Sequence, residues 1–157
     1  MATFVLAVCL YHGEIDNSCE IHDSAIPVKS IDHVLQPFDL NANPNLNRAY
    51  INELADCRFI EENVAVLIAG PCGTGKSHLA QAIGHCAVKK GIDMLFFTQA
   101  KLLANLHAAR ATNTYGKRFS TLVKVDLLII DDFGLKPLKS RQDEELHDLI
   151  DERYEQR

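Results

Sequence analysis

The stretch Val64-Ala65-Val66-Leu67-Ile68-Ala69-Gly70-Pro71-Cys72-Gly73-Thr74-Gly75-Lys76-Ser77 decides the fold. Its first six residues are apolar, three of them β-branched, and Gly70-Pro71 bounds them. Such a run predicts a strand buried on both faces, as in parallel sheets. Residues 70–77 fit G-x-x-x-x-G-K-[ST], and a helix is predicted from Lys76 to about Lys90, stopped by Gly91. Strand before and helix after is the context in which this octet cradles phosphates. Its glycines let the backbone wrap an anion with N–H groups inward. The helix adds its unpaired N-terminal N–H groups and its dipole. Lys76 is placed to reach the β- and γ-phosphates of a nucleoside triphosphate, and the Ser77 hydroxyl to ligate Mg²⁺. The expected nucleotide-contacting set is Gly70, Pro71, Cys72, Gly73, Thr74, Gly75, Lys76, Ser77 and His78. Cys72 has no visible base to make it a nucleophile, and His78 and His85 lack carboxylates at metal-ligand spacing.

Downstream, strands and helices alternate. Met94–Thr98 reads as a second strand, and Gln99–Arg110 as a helix with Leu102, Leu103 and Leu106 inward. Residues 111–117 read as a loop, and Phe119–Lys124 as a short helix or turn. Leu127–Ile130 is a third buried strand, ending in Asp131-Asp132. A final helix is expected from Ser140, with Asp143 completing a capping box and Leu146, Ile150 and Tyr154 as its buried stripe. Its early acids and late arginines, Arg153 and Arg157, match the helix dipole. This order predicts an α/β domain, a parallel sheet with helices on its faces. At the end of a buried strand, Asp131 can hold Mg²⁺, and Asp132 can orient and polarise an attacking water as a general base. These two are the expected metal ligand, beside Ser77, and catalytic residue, beside Lys76.

Upstream, Asn43-Pro44 reads as a helix start, with Leu46, Tyr50 and Leu54 on one face as far as Phe59. Residues 1–42 read as mostly irregular, with one short strand near the start; the core is expected over 43–157. Phe4–Tyr11 is apolar, but no Lys or Arg precedes it and Glu14 and Asp16 follow, which argues against a secretory signal. The net charge of −5 is uneven: residues 1–63 hold 3 basic and 10 acidic groups, residues 64–157 hold 13 and 11. The chain is therefore no polybasic nucleic-acid binder, although Lys117-Arg118 and Lys136, Lys139 and Arg141 form local basic loops suited to DNA phosphates. Five widely spaced cysteines without C-x-x-C indicate reduced thiols and a cytoplasmic setting. No apolar run approaches the ~20 residues that span a bilayer.

Three segments together resemble the IstB-like ATP-binding proteins, helper ATPases of bacterial insertion sequences related to the DnaC helicase loaders. They are Gly70–Ala80, Leu127-Leu128-Ile129-Ile130-Asp131-Asp132-Phe133-Gly134 and Asp151-Glu152-Arg153-Tyr154-Glu155-Gln156-Arg157. Residues 26–47 resemble the family's lead-in. The resemblance implies an AAA+-type P-loop fold, ATP and Mg²⁺, assembly on double-stranded DNA as a homo-oligomer when the module is whole, and a transposase partner from the same element. It assigns Lys76, Ser77, Asp131 and Asp132 to phosphate, metal and water activation, and brings Asn63 near the adenine. A helicase loader, a small P-loop kinase and a non-enzymatic nucleotide-binding fragment are the alternatives. A kinase would need an Arg-rich lid, and residues 111–125 offer only Lys117, Arg118 and Lys124.

Residues 1–24 do not resemble the family's N-terminal helical domain. Family members also continue past the position of Arg157 into a strand ending in a polar sensor residue, then helices and an arginine acting on a neighbour's ATP. That strand lies between the phosphate-loop strand and the Asp131 strand. Without it the sheet is expected to be incomplete on its C-terminal side and open in the middle, with two unpaired edges. The expectation is a truncated form with weak ATPase activity. A version extended through that strand should turn ATP over faster, and equal turnover would refute the point.

Overall fold

A computed structural model of the chain describes residues 2–9, 47–135 and 137–156. The Asn43-Pro44 helix start, Leu46, the lead-in before residue 47, Lys136 and Arg157 lie outside the described residues. In chain order the elements are β1 (Ala2–Cys9), α1 (Arg48–Ala55), α2 (Arg58–Glu61), β2 (Val66–Pro71), α3 (Lys76–Lys89), β3 (Met94–Thr98), α4 (Gln99–Ala111), α5 (Tyr115–Lys124), β4 (Leu127–Phe133) and α6 (Ser140–Glu155). They form one four-stranded sheet in the order β2-β1-β4-β3. β3 and β4 pair in parallel, while β1 runs antiparallel to both β2 and β4. The three strands that precede helices thus share one direction, and β1 is the reversed member. The middle of the sheet is therefore not open: the short strand expected near the start of the chain lies between β2 and β4.

Side chains of β4 alternate between two cores. Leu127 and Ile129 join Leu54, Phe59, Ile60, Leu79, Ile83 and Ala87 from α1–α3. Leu128 and Ile130 join Leu102, Leu103, Leu106, Leu122, Val123, Leu146 and Leu149 from α4–α6. The architecture is α/β/α in three layers. All four β4 residues are wholly inaccessible, and each such side chain contributes about 1.5–3 kcal/mol of burial. α3 packs close to the sheet at Gly84, where a Cβ would stand 2.6 Å from Met94 Cε.

Several boundaries and faces differ from the expectation. β2 is an edge strand buried on one face only: Val66 is buried, while Leu67 is 56% exposed. The first helix is broken at Cys57, whose φ of 57° cannot continue a right-handed helix. Its cap is Asn47, whose Oδ1 accepts from the N–H groups of Ala49 and Tyr50 at 3.1 and 3.4 Å; Tyr50 points outward. α5 begins at Tyr115, inside the expected loop. α6 is capped one residue early, at Lys139, whose N–H donates to Gln142 Oε1 at 3.2 Å. Its buried stripe is Leu146, Leu149 and Arg153; Ile150 packs partly buried against the same core as expected, whereas Tyr154 is 65% exposed. No helix among the described residues is long and apolar enough to cross a membrane.

Arg153 explains that rotation of the stripe. It is fully buried, and its Nη1 donates to Leu122 O at 2.6 Å and Val123 O at 2.9 Å, closing the carbonyl end of α5. Nη2 reaches Asp126 O at 3.4 Å. Arg153→Met removes these donors and strands buried carbonyls. Denaturant unfolding should show a loss of about 2–4 kcal/mol, with Arg153→Lys recovering only part, because one ammonium cannot reproduce the planar fork.

Candidate nucleotide site

The site lies where β2 and β4 end. β2 runs into the phosphate loop, which turns through Gly73 (φ 80°) and Gly75 (φ 82°). A side chain at either would be strained by roughly 1–2 kcal/mol. Thr74 Oγ1 donates to Pro71 O at 2.9 Å and folds the loop on itself. Gly75 is the N-cap of α3 and brings no capping side chain. The first-turn N–H groups of a helix lack intrahelical partners, so the loop end of α3 carries the donor character and positive dipole that suit an anion.

Lys76 arches back over this loop. Its Nζ donates to Pro71 O at 2.5 Å and lies 3.3 Å from Thr74 Oγ1, and the residue is 9% exposed. An ammonium held by two neutral oxygens, at the mouth of an anion-suited loop, can exchange those partners for phosphate oxygens. Ser77, next along, turns the other way. Its Oγ donates to Asp131 Oδ1 at 3.0 Å, joining the start of α3 to the end of β4 across 54 residues of chain. Asp131 is 6% exposed and also accepts from the Asp132 N–H at 2.9 Å. A hydroxyl and a carboxylate on one spot are hard oxygen donors that fit Mg²⁺, which takes few protein ligands beside water and phosphate. Ser77 and Asp131 can therefore hold the ion.

Asp132 is half-buried with φ 54°, an uncommon left-handed setting for a residue with a side chain. The following turn closes with Leu135 N–H on Asp132 O at 3.3 Å. Here sequence reasoning missed a residue. Gln99, 5% exposed at the β3–α4 junction, accepts the Gly134 N–H on its Oε1 at 2.7 Å and ties the turn after Asp132 to the next strand. The available signal was register: in parallel β3 and β4, Thr98 stands opposite Asp131, so residue 99 has to emerge beside this turn.

The other expected loop residues have lesser roles in the geometry. Pro71, Cys72 and His78 are exposed around the loop, Gly70 is half-buried, and Cys72 is a free thiol. Asn63 stands at φ 53° between α2 and β2. Of the basic residues, Lys117 and Lys139 are exposed, and Arg141 lies 3.7 Å from Glu145. Glu145, one of the early acids of α6, does more than match the helix dipole: it is 3% exposed and accepts from Arg110 Nε at 2.7 Å. The Arg110 guanidinium in turn stacks 3.9 Å above the Tyr115 ring.

Comparison with known proteins gives this arrangement relatives. Residues 20–157 match the family described as IstB-like ATP binding protein. An insertion-sequence protein of Mycobacterium tuberculosis described as ATP-binding is 33% identical over 118 residues, 75% of this chain and 47% of that protein. The corresponding proteins of IS232 from Bacillus thuringiensis and IS21 from Pseudomonas aeruginosa are 37% and 34% identical, over 76% and 77% of this chain and 48% and 46% of their own lengths. The chain spans about half the length of these curated relatives. With a loop between β2 and α3, a lysine over it and a serine reaching the carboxylate at the end of β4, the chain belongs to the IstB-like ATP binding protein family.

Proposed function

We propose that this chain binds ATP with Mg²⁺ at the end of β2 and β4 and hydrolyses it in support of DNA transposition. The observation that carries the reading is the 3.0 Å hydrogen bond from Ser77 to Asp131, which brings the phosphate loop and the acidic strand to one point. Lys76 supplies the positive charge for the β- and γ-phosphates, and the glycine backbone of residues 70–75 encloses them. Bound Mg²⁺ would neutralise charge that develops on the phosphate oxygens. Ser77 and Asp131 would hold it, and Asp132 would orient a water and take its proton. Family membership and the names of the relatives support the insertion-sequence role. The proposed partners are a transposase from the same element, double-stranded DNA met by Lys117, Arg118, Lys139 and Arg141, and further copies of the chain, all in the cytoplasm.

Fluorescent ATP-analogue binding tests the site. Lys76→Ala should weaken it by about 10-fold or more, since charge-assisted phosphate contacts are the strong ones. Unchanged affinity would count heavily against the assignment. Asp132→Asn should leave affinity within a few-fold and lower turnover by about 10²–10⁴, the usual contribution of a general base.

The thiols give an independent check. Cys72 is exposed in the loop, whereas Cys57 is 2% exposed and burial pushes its thiol up to about 11. At pH 8 a thiol reagent should therefore label Cys72 and spare Cys57 until the protein unfolds. Saturating Mg²⁺ and ATP should slow labelling of Cys72, read by peptide mapping. Labelling of Cys72 at the same rate with and without Mg²⁺ and ATP would contradict the site.

A further inference from the structure

Resting on that nucleotide reading, we infer that β1 is the spacer and template for the metal side of the site: its pairing sets the gap between the phosphate-loop strand and the acidic strand, and bends the latter at Asp131-Asp132. Adjacent strands lie about 4.8 Å apart, so β2 and β4, with one strand between them, stand about 10 Å apart and cannot bond to each other. The end of β1 that pairs with the loop entry also pairs with the end of β4. Ala2 and Thr3 stand opposite Pro71 and Gly70, and Phe4 stands opposite Ala69 on one side and Phe133 on the other.

The two ladders of β1 differ. Toward β2 the register is regular from Ala2↔Pro71 to Ala7↔Val66. Toward β4 it shifts between Phe4↔Phe133 and Leu6↔Ile130. Val5 thus faces two residues, and those two are Asp131 and Asp132. This is a β-bulge on the acidic strand, and Asp132 at φ 54° is its distorted member. A bulge puts an extra residue into the strand and re-aims the side chains there. In a regular strand Asp131 and Asp132 would point to opposite faces of the sheet. The strand that faces this bulge is β1, so the aim of the proposed water-activating carboxylate depends on a segment more than 120 residues away in the chain. The phosphate loop itself is anchored differently. α3, which follows it, is held on Phe96, Leu127 and Ile129 through Leu79, Ile83 and Ala87, an anchor additional to the loop entry's pairing with β1.

That additional anchor of the phosphate loop, which Asp132 lacks, defines the experiment. Leu6→Pro in the full chain removes one ladder N–H from a strand with neighbours on both sides, where proline is not tolerated. ATP-analogue binding without Mg²⁺ should stay within about threefold, while the gain in affinity on adding Mg²⁺ should fall by about 10-fold. A gain equal to that of the unmodified chain would overturn the inference. Should the variant not fold, hydrogen exchange on the unmodified chain decides. The amides of residues 4–8 should exchange about 100-fold or more slower than in an unstructured peptide, and slower again with Mg²⁺ and the analogue. Exchange at the unstructured rate would overturn the spacer role whether or not nucleotide binds. Protected β1 amides in a chain that binds no analogue would instead overturn the nucleotide reading and, with it, the role assigned to β1.

Discussion

Burial of β4 from both sides is the constraint on which the rest depends. Its four central residues are wholly inaccessible, and alternate ones belong to different cores. A strand held this way cannot slip by one residue, because slipping would exchange every side chain between the two layers. Hydrophobic packing thus fixes the register that brings Asp131 to the end of the sheet, where its own hydrogen bonds and the pairing with Thr98 complete its placement. α3 is packed on the same strand through Ile129. The 3.0 Å meeting of Ser77 and Asp131 follows from two elements sharing one anchor. The chemistry at the sheet's end inherits its precision from apolar side chains below it.

What could be read in the sequence is what short-range pattern controls. The run Leu127–Ile130 with acids at its end, the octet 70–77 and the exact span Met94–Thr98 are each complete within a few residues. The misreadings concern tertiary neighbours. Leu67 looks like a core residue in any window, yet β2 is an edge strand with one face open. Whether an apolar strand is central or marginal depends on what pairs beside it, and among the described residues β2 pairs with Ala2–Cys9 on one side and with no strand on the other. Gln99 was invisible for the same reason. Its partner Gly134 is 35 residues away, and only the parallel register of β3 and β4 makes them neighbours.

Charged residues misled in a consistent direction. Acids early and arginines late in a helix satisfy its dipole, so Glu145 and Arg153 needed no further explanation. Both are buried. A buried charge is costly unless it finds partners, and each finds them on an element distant in sequence: Glu145 in Arg110 on α4, and the Arg153 Nη1 in the carbonyls that end α5. The two interactions fasten α6 over α4 and α5 at points where the apolar stripe alone would tolerate rotation. The stripe includes Leu149 and Arg153, and leaves Tyr154 in solvent, because the guanidinium has to reach those carbonyls.

The turn after β4 shows how local strain is held. A left-handed φ at a residue with a side chain costs about 1–2 kcal/mol, and Asp132 carries it. Two hydrogen bonds flank the strained residue: its own N–H to Asp131 Oδ1 at 2.9 Å, and the Gly134 N–H to Gln99 Oε1 at 2.7 Å. At roughly 1 kcal/mol net each, such bonds are of the size needed to offset the strain. The first comes from a carboxylate that also receives Ser77, so one side chain fixes both the serine and the backbone of its neighbour. In the proposed site the carboxylate that would hold Mg²⁺ beside Ser77 is also the one that braces the strained backbone of Asp132, while Gln99 supports the turn from the neighbouring strand's end.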